Sequence, residues 1–192
     1  MPLTLANRIT FLRLFCIPFF VLMLIYYDKS VSGGARNDYF RISAAVVFVL
    51  IFLSDAIDGY IARSRNQITR LGTIIDPLAD KALLLSALVL LSFSHAKSYQ
   101  AHLPIWFVWL VICRDVMLVA GGVLIHIISG TVTVKARISG KITTFLQMTI
   151  IVWVMADLPA VAFRYVLWTG AVFTVISGVQ YFLDGIRQFD RS

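Results

Sequence analysis

Residues 54–81 read SDAIDGYIARSRNQITRLGTIIDPLADK and hold four aspartates in two pairs, within a chain that is otherwise strongly apolar. Asp55 and Asp58 are three residues apart, and Asp76 and Asp80 are four residues apart, so the carboxylates of each pair share one face of a helix. The polar residues between the pairs predict a short connection between two helices. Because a charge inside a bilayer costs roughly 3 kcal/mol or more, four carboxylates in this setting indicate a functional site.

The composition is typical of a membrane protein. Of the 192 residues, 59% are hydrophobic and 14% are charged, whereas an ordinary soluble domain is about a quarter charged. The net charge of +7 would suggest a nucleic-acid partner in a soluble protein. Here most basic residues lie between apolar segments, where membrane topology and anionic lipid headgroups explain them better. We therefore expect one all-α integral membrane domain over residues 1–192, and no nucleic-acid partner.

The apolar segments predict six transmembrane helices. Their expected bounds are 14–27, 39–63, 73–93, 104–128, 142–156 and 161–183, with polar loops at 28–38 and 129–141. Six spans place both termini on one side, where the basic residues outnumber those of the other side, so the aspartates are expected to open towards the cytoplasm. The short connection predicts that the second and third spans are antiparallel neighbours with their aspartates facing one another.

The chemistry of the four aspartates favours a metal site. Carboxylates close together in a low-dielectric setting need compensating charge, and all-oxygen ligands favour magnesium, manganese or calcium. Four carboxylates suffice for two cations, which together can clamp a phosphoryl group. Between the pairs, Gly59 and Gly72 permit close approach of a ligand, Ala62 keeps the surface low, and Arg63 can neutralise phosphate. Asp80 is our candidate for a general base.

The residues alone leave two other interpretations open. The aspartates could form intramembrane ion pairs with Arg63, Lys81 and Arg114, or they could line the proton or cation path of a transporter. Arg114 is followed directly by Asp115, and adjacent residues do not share a helix face. We expect each of these two side chains to find its partner on a different helix.

The stretch also resembles a known family. Its pattern D-x2-D-G-x2-A-R-x8-G-x3-D-x3-D is similar to that of the CDP-alcohol phosphotransferases, integral membrane enzymes of phospholipid synthesis with six transmembrane helices. The resemblance covers nearly the whole chain. It implies two divalent cations, Mg²⁺ or Mn²⁺, on the four aspartates, with Asp80 also the base for the acceptor hydroxyl, and it implies a homodimer. The CDP portion of the donor would be bound by Asp58, Gly59, Ala62, Arg63 and Gly72.

The resemblance implies a donor and an acceptor. The donor would be CDP-diacylglycerol, whose β-phosphorus the acceptor attacks as CMP leaves. Residues 140–144 with Gln147 resemble the start of the fifth helix in phosphatidylglycerophosphate synthases and related cardiolipin synthases, which favours glycerol 3-phosphate as the acceptor. Its phosphate would be bound by Arg114, Lys135, Arg137 and Lys141. Asp115 stands where the glycerophosphate synthases usually have Glu, so cardiolipin synthesis from phosphatidylglycerol is the alternative.

Overall fold

The computed structural model describes residues 5–64, 70–94, 98–129 and 138–189, with side chains described over 15–54, 78–94, 98–123 and 138–186. The described residues form six helices and no strand. The helices are α1 (Leu5–Ser32), α2 (Asp38–Ser64), α3 (Arg70–Phe93), α4 (Ile105–Ser129), α5 (Ile138–Met155) and α6 (Ala160–Phe189). The all-α prediction is therefore confirmed for this part of the chain.

The end of α1 lies beyond the expected start of the first loop. We predicted a loop from Asp28, but α1 continues to Ser32, whose Oγ donates a hydrogen bond to the carbonyl oxygen of Asp28 (2.8 Å). The chain turns after the helix at Gly34, which adopts a left-handed φ of 79° that favours glycine. Polarity therefore marks the edge of the apolar segment here, and not the end of the helix.

The start of α5 also differs from the prediction. The helix begins at Ile138, inside the loop expected at 129–141, so Lys141 lies in the first turn of α5 and not in a loop. The other two basic residues of that loop, Lys135 and Arg137, lie outside the described residues. The first turn of α5 thus becomes part of the candidate site, because its amides have no partner within the helix.

Four of the helices have the length and composition of membrane spans. Among the described residues, α1, α4, α5 and α6 each contain a window that is long and apolar enough to cross a bilayer. Large apolar side chains are also exposed on several helices, for example Phe15 at 80% on α1 and Val161 at 78% on α6. Such a surface is expected against lipid and not against water. The protein is an integral membrane protein.

The helices pack as two groups of three. In the first group α1 packs against both α2 and α3, and in the second α6 packs against both α4 and α5. Phe20 of α1 and Phe48 of α2 bring their ring centroids to 5.6 Å in the first core. In the second, a Cβ at Gly170 would lie 2.8 Å from Ile150 Cδ1, so glycine allows α5 and α6 to approach closely. Contacts of α3 with α4 and α5, and of α2 with α5, join the two groups.

Asp157 closes one end of the bundle. It lies in the turn between α5 and α6 with a left-handed φ of 56°, and its Oδ1 accepts a hydrogen bond from the backbone N–H of Gln100 (2.7 Å). Its Oδ2 accepts from Arg36 Nη2 (2.6 Å). Arg36 and Arg41 also reach Asp38 Oδ1, at 3.2 and 3.1 Å. We call these five residues the Asp157 network, which joins the α1–α2, α3–α4 and α5–α6 connections.

Candidate active site

The four aspartates lie at the end of the bundle opposite the Asp157 network. Asp55 and Asp58 are in the last three turns of α2, and Asp76 and Asp80 are in the first three turns of α3. Each pair therefore lies on a helix with the spacing that puts both side chains on one face. The side chains of Asp55, Asp58 and Asp76 fall outside the described ones, so their part in a metal site stays a prediction.

Asp80 lies where three helices converge. Its half-buried side chain lines a small cavity of about 20 Å³, room for roughly one water molecule. The other lining residues are apolar and come from α2, α3 and α5: Phe48, Ile51, Phe52, Leu83, Leu84 and Met148. Residues of α2 and α3 line this one cavity, but in the described part of the chain the helices that pack directly against both are α1 and α5. The predicted direct packing of α2 against α3, with their aspartates facing one another, stays a prediction.

The residues expected to bind the CDP portion lie on the same two helix ends. Gly59, Ala62 and Arg63 belong to the last two turns of α2, and Gly72 belongs to the first turn of α3. Their side-chain positions lie outside the described ones, as does Asp58. Their role in binding CDP therefore stays a prediction, supported by their place beside the aspartates along the helices.

Arg114 is the centre of a second polar cluster, buried in the middle of the bundle. The residue is 7% exposed, and its Nη1 donates to Asp115 Oδ1 at 2.8 Å while its Nη2 donates to Ser177 Oγ on α6, also at 2.8 Å. Lys81 on α3 donates from Nζ to Asp115 Oδ2 at 2.5 Å. The Arg114 guanidinium carbon lies 5.7 Å from the centroid of the Tyr181 ring. We call these five residues the Arg114 network.

The network confirms one expectation about Arg114 and Asp115 and corrects another. Each does find a partner on a different helix, Ser177 for Arg114 and Lys81 for Asp115. The two neighbours also bond to each other, which their positions on the helix did not predict, because the long arginine side chain can reach round the helix to the next residue. Lys81 and Arg114 therefore do form intramembrane ion pairs, with Asp115 as the shared anion.

The Arg114 network carries more positive than negative charge. It contains two cations and one carboxylate, and Arg114 Nε has no hydrogen-bond partner among the described residues although it is buried. A buried charge without compensation is costly. An anionic ligand near the guanidinium would provide both the missing charge and the missing acceptor.

The first turn of α5 lies directly against this guanidinium. A Cβ at Gly140 would be 3.3 Å from Arg114 Nη2 and 3.1 Å from Tyr181 Oη, so glycine allows both groups to sit close to the helix backbone. The N-terminus of a helix favours an anion through its unpaired amides and its dipole. Lys141 is exposed in the same turn. Of the predicted acceptor residues, Arg114 and Lys141 are thus seen near the start of α5, and Lys135 and Arg137 lie outside the described residues.

Ser177 and Tyr181 are the members of this cluster that the sequence analysis missed. They are four residues apart on α6, so they share a helix face, and a nearby pair, Ser139 Oγ donating to Gln180 Oε1 at 2.7 Å, links α5 to the same part of α6. Polar residues spaced by three or four within an apolar span are the signal that could have identified them. By residue type the four aspartates would offer only oxygen ligands, which suits Mg²⁺ or Mn²⁺.

Known proteins resemble the chain over nearly its whole length. It is 35% identical over 188 residues to the CDP-diacylglycerol–glycerol-3-phosphate 3-phosphatidyltransferase of Bacillus subtilis (strain 168), covering 93% of each chain. It is 32% identical over 186 residues to the probable phosphatidylglycerophosphate synthase of Mycobacterium tuberculosis (strain ATCC 25618 / H37Rv), covering 95% of this chain and 82% of that one. The Escherichia coli (strain K12) CDP-diacylglycerol–glycerol-3-phosphate 3-phosphatidyltransferase is 30% identical over 185 residues, with 94% of each covered. Residues 3–176 match the CDP-alcohol phosphatidyltransferase family, and the chain belongs to that family.

Proposed function

We propose that this protein transfers the phosphatidyl group of CDP-diacylglycerol to glycerol 3-phosphate, giving phosphatidylglycerophosphate and CMP. The observation that carries the proposal is the 35% identity, over 93% of both chains, to a relative named for this reaction. The structure supports the choice of acceptor through the excess positive charge of the Arg114 network, because glycerol 3-phosphate brings a compact anionic phosphate.

The donor half of the proposed site is formed by α2 and α3. Asp55, Asp58, Asp76 and Asp80 would hold two divalent cations, Mg²⁺ or Mn²⁺, which when bound polarise the phosphoryl oxygens and stabilise the departing CMP. Asp80 takes the proton from the acceptor hydroxyl. The freed oxygen bonds to the β-phosphorus, the bond from that phosphorus to the CMP oxygen breaks, and CMP leaves. The CDP portion lies against Asp58, Gly59, Ala62, Arg63 and Gly72.

The acceptor half is formed around the first turn of α5. Arg114 presents its buried guanidinium beside Gly140, and Lys141 adds a positive charge in the same turn. Lys135 and Arg137, which precede α5 in the sequence, would complete the phosphate pocket. The Arg114 guanidinium is held by Asp115, Ser177 and the Tyr181 ring, so its orientation is fixed before the acceptor arrives. This lowers the entropy cost of binding the acceptor.

We propose six transmembrane spans in a single domain over residues 1–192, with the active site open to the cytoplasm and the protein a homodimer. The aromatic residues support the orientation of the bundle relative to the bilayer. Trp106 and Trp109 on α4 and Trp168 on α6 lie towards the end with the Asp157 network, and they are 41%, 60% and 58% exposed. Exposed tryptophans favour a membrane–water interface, which leaves the aspartate end for the opposite interface. The acyl chains of the donor would stay in the bilayer beside it.

Two alternatives predict different products. Cardiolipin synthesis from phosphatidylglycerol is favoured by the Arg114–Asp115 pair, since an aspartate there is closer to the cardiolipin synthases of this superfamily. An ion-coupled transporter would release no CMP, and the chain's membership of a transferase family argues against it.

The test supplies purified protein in detergent with CDP-diacylglycerol, Mg²⁺ or Mn²⁺ and one acceptor at a time. The acceptors are glycerol 3-phosphate, phosphatidylglycerol, inositol phosphate and serine. We expect CMP and phosphatidylglycerophosphate with glycerol 3-phosphate, and loss of both when EDTA removes the metal. Cardiolipin formed from phosphatidylglycerol would favour the alternative enzyme, and no CMP with any acceptor would overturn an enzymatic function.

A further inference from the structure

The carboxylate of Asp115 is shared between the two groups of helices. Its Oδ2 accepts from Lys81 Nζ on α3, at 2.5 Å, and its Oδ1 accepts from Arg114 Nη1, at 2.8 Å. Lys81 belongs to the first group and directly follows Asp80 in the sequence. Arg114 belongs to the second group and lies against the first turn of α5. One side chain therefore touches a residue next to the proposed base and a residue of the proposed acceptor pocket.

The Lys81–Asp115 ion pair crosses the boundary between the two groups of helices. Helices α3 and α4 belong to different groups and are joined there by the Lys81–Asp115 ion pair. Asp115 is 12% exposed in its side chain, so the carboxylate has little water to replace a lost partner. If α3 slid or rotated relative to α4, the Lys81–Asp115 bond would break, because Arg114 and Asp115 both belong to α4. The largely buried carboxylate would then lose one of its two cationic partners.

We propose that Asp115 is a positioning residue, which fixes the separation between Asp80 on α3 and the acceptor pocket around Arg114. The inference rests on the proposed function, since it takes Asp80 as the base and Arg114 as an acceptor ligand. A displacement of about 1 Å between reacting groups can cost a factor of about 100 in rate. A tie between the helices that carry those groups therefore acts on the chemical step more than on donor binding.

Two other roles are possible for the same contacts, and they predict different results. Asp115 could be a simple counter-ion. Replacing Lys81 with an uncharged residue would then leave Asp115 paired with Arg114, one charge each, and activity would stay unchanged. Lys81 could instead act directly on the substrate, and its loss would then slow the reaction whether or not Asp115 is present.

The experiment is a double-mutant cycle on the full-length protein in detergent, with Lys81→Met, Asp115→Asn and the double variant. We expect each single variant to lower kcat with glycerol 3-phosphate by about 10–100-fold, and the double variant to be no slower than the slower single variant. The KM for CDP-diacylglycerol, and the thermal stabilisation of the protein by CDP with Mg²⁺, should stay within twofold of the original protein. Lys81→Arg keeps a cation at the bridge and should restore most of kcat.

The control is Lys29→Met, which removes an exposed lysine from the last turn of α1 at the opposite end of the bundle and should leave all these values within twofold. Unchanged kcat in Lys81→Met, or single effects that multiply in the double variant, would overturn the positioning role. If Lys81→Met does not fold, Lys81→Arg and Asp115→Asn still test the positioning role. In Asp115→Asn, equal rises in the KM for CDP-diacylglycerol and the KM for glycerol 3-phosphate would indicate a structural role instead. Failure of the original protein to form phosphatidylglycerophosphate would instead refute the proposed function itself.

Discussion

The Asp157 network and the Arg114 network both pair basic side chains with aspartates, at different places in the bundle. They differ in their balance of positive and negative charge. The Asp157 network pairs two arginines with two aspartates. The side chains of Arg36 and Asp38 are 42% and 44% exposed, and those of Arg41 and Asp157 are 12% and 10% exposed. The Arg114 network holds two cations and one carboxylate. The side chains of Arg114 and Asp115 are 8% and 12% exposed and that of Lys81 is 36% exposed, and Arg114 Nε has no hydrogen-bond partner among the described residues. A network with equal numbers of positive and negative side chains needs no further ion. A network with an excess of buried positive charge can bind an anion.

An aspartate-to-asparagine change made at each end of the bundle, at Asp80 and at Asp157, should give the largest difference in the rate of CMP release. We expect Asp80→Asn to lower CMP release by about a thousandfold or more, because an amide cannot accept the proton of the acceptor hydroxyl. Asp157→Asn, an equally isosteric change at the other end, should leave kcat within about twofold. CMP release measured with both purified variants checks the pair.

The folded state of the Asp80→Asn protein must be verified before the loss is assigned to chemistry. A monodisperse elution profile and a thermal midpoint close to that of the original protein are the controls. Retained turnover in that variant would remove Asp80 as the base, and equal losses in the two variants would show that activity depends as much on the Asp157 end of the bundle as on the aspartate end.

A change at Gly140 tests whether the geometry of the Arg114 network matters for the acceptor. In Gly140→Ala the new Cβ would lie 3.1 Å from Tyr181 Oη and 3.3 Å from Arg114 Nη2, so the hydroxyl and the guanidinium must each move by a few tenths of an ångström. Alanine is up to about 1 kcal/mol better than glycine in a helix, which offsets part of the cost of that movement, so the protein should remain folded. We expect the KM for glycerol 3-phosphate to rise about tenfold with the KM for CDP-diacylglycerol unchanged.

The matched control for that substitution is Gly121→Ala, since a Cβ at Gly121 of α4 meets nothing within 4 Å. It should leave both KM values unchanged. An acceptor KM that stays the same in Gly140→Ala would separate the Arg114 network from acceptor binding.

The sequence predicted the six helices and the helices that carry the aspartates, and both predictions follow from local rules. Long apolar segments must be helical in a membrane, and the short connection places Asp58 and Asp76 near the same end. The partners of Arg114 were not predictable in this way. Ser177 is 63 residues away in the chain, and which face of α6 meets α4 depends on how side chains pack between helices. Hydropathy gives the existence of a span but not its rotation about its own axis.

The smallest expected effect concerns the pH dependence of the Asp157 network. Burial alone would raise the pKa of Asp157, but the hydrogen bonds from the Gln100 N–H and Arg36, together with the charge of Arg41, hold it below its ordinary value of 3.8. The ionised carboxylate therefore stabilises the folded state at neutral pH, and this contribution is lost as the pH falls through the lowered pKa. Asparagine tolerates the left-handed φ at this position as aspartate does, so Asp157→Asn removes the charge without straining the turn.

We accordingly expect Asp157→Asn to lower the free energy of unfolding by about 1 kcal/mol at pH 7, a modest value because Arg36 is partly exposed to solvent. The difference between the two proteins should shrink as the pH falls below 3.8 and vanish once Asp157 is protonated in the folded state. Thermal midpoints of both proteins, measured in detergent between pH 7 and pH 2, give the stability difference at pH 7 and the pH range over which it disappears. A difference that persists at the lowest pH would mean that the amide alters the hydrogen bond from Gln100 rather than the charge pairing. In that case the hydrogen bond from the Gln100 N–H, and not the charge of Asp157, stabilises the Asp157 network. The contrast would then be between a network stabilised by its backbone and the Arg114 network, which has an excess of positive charge.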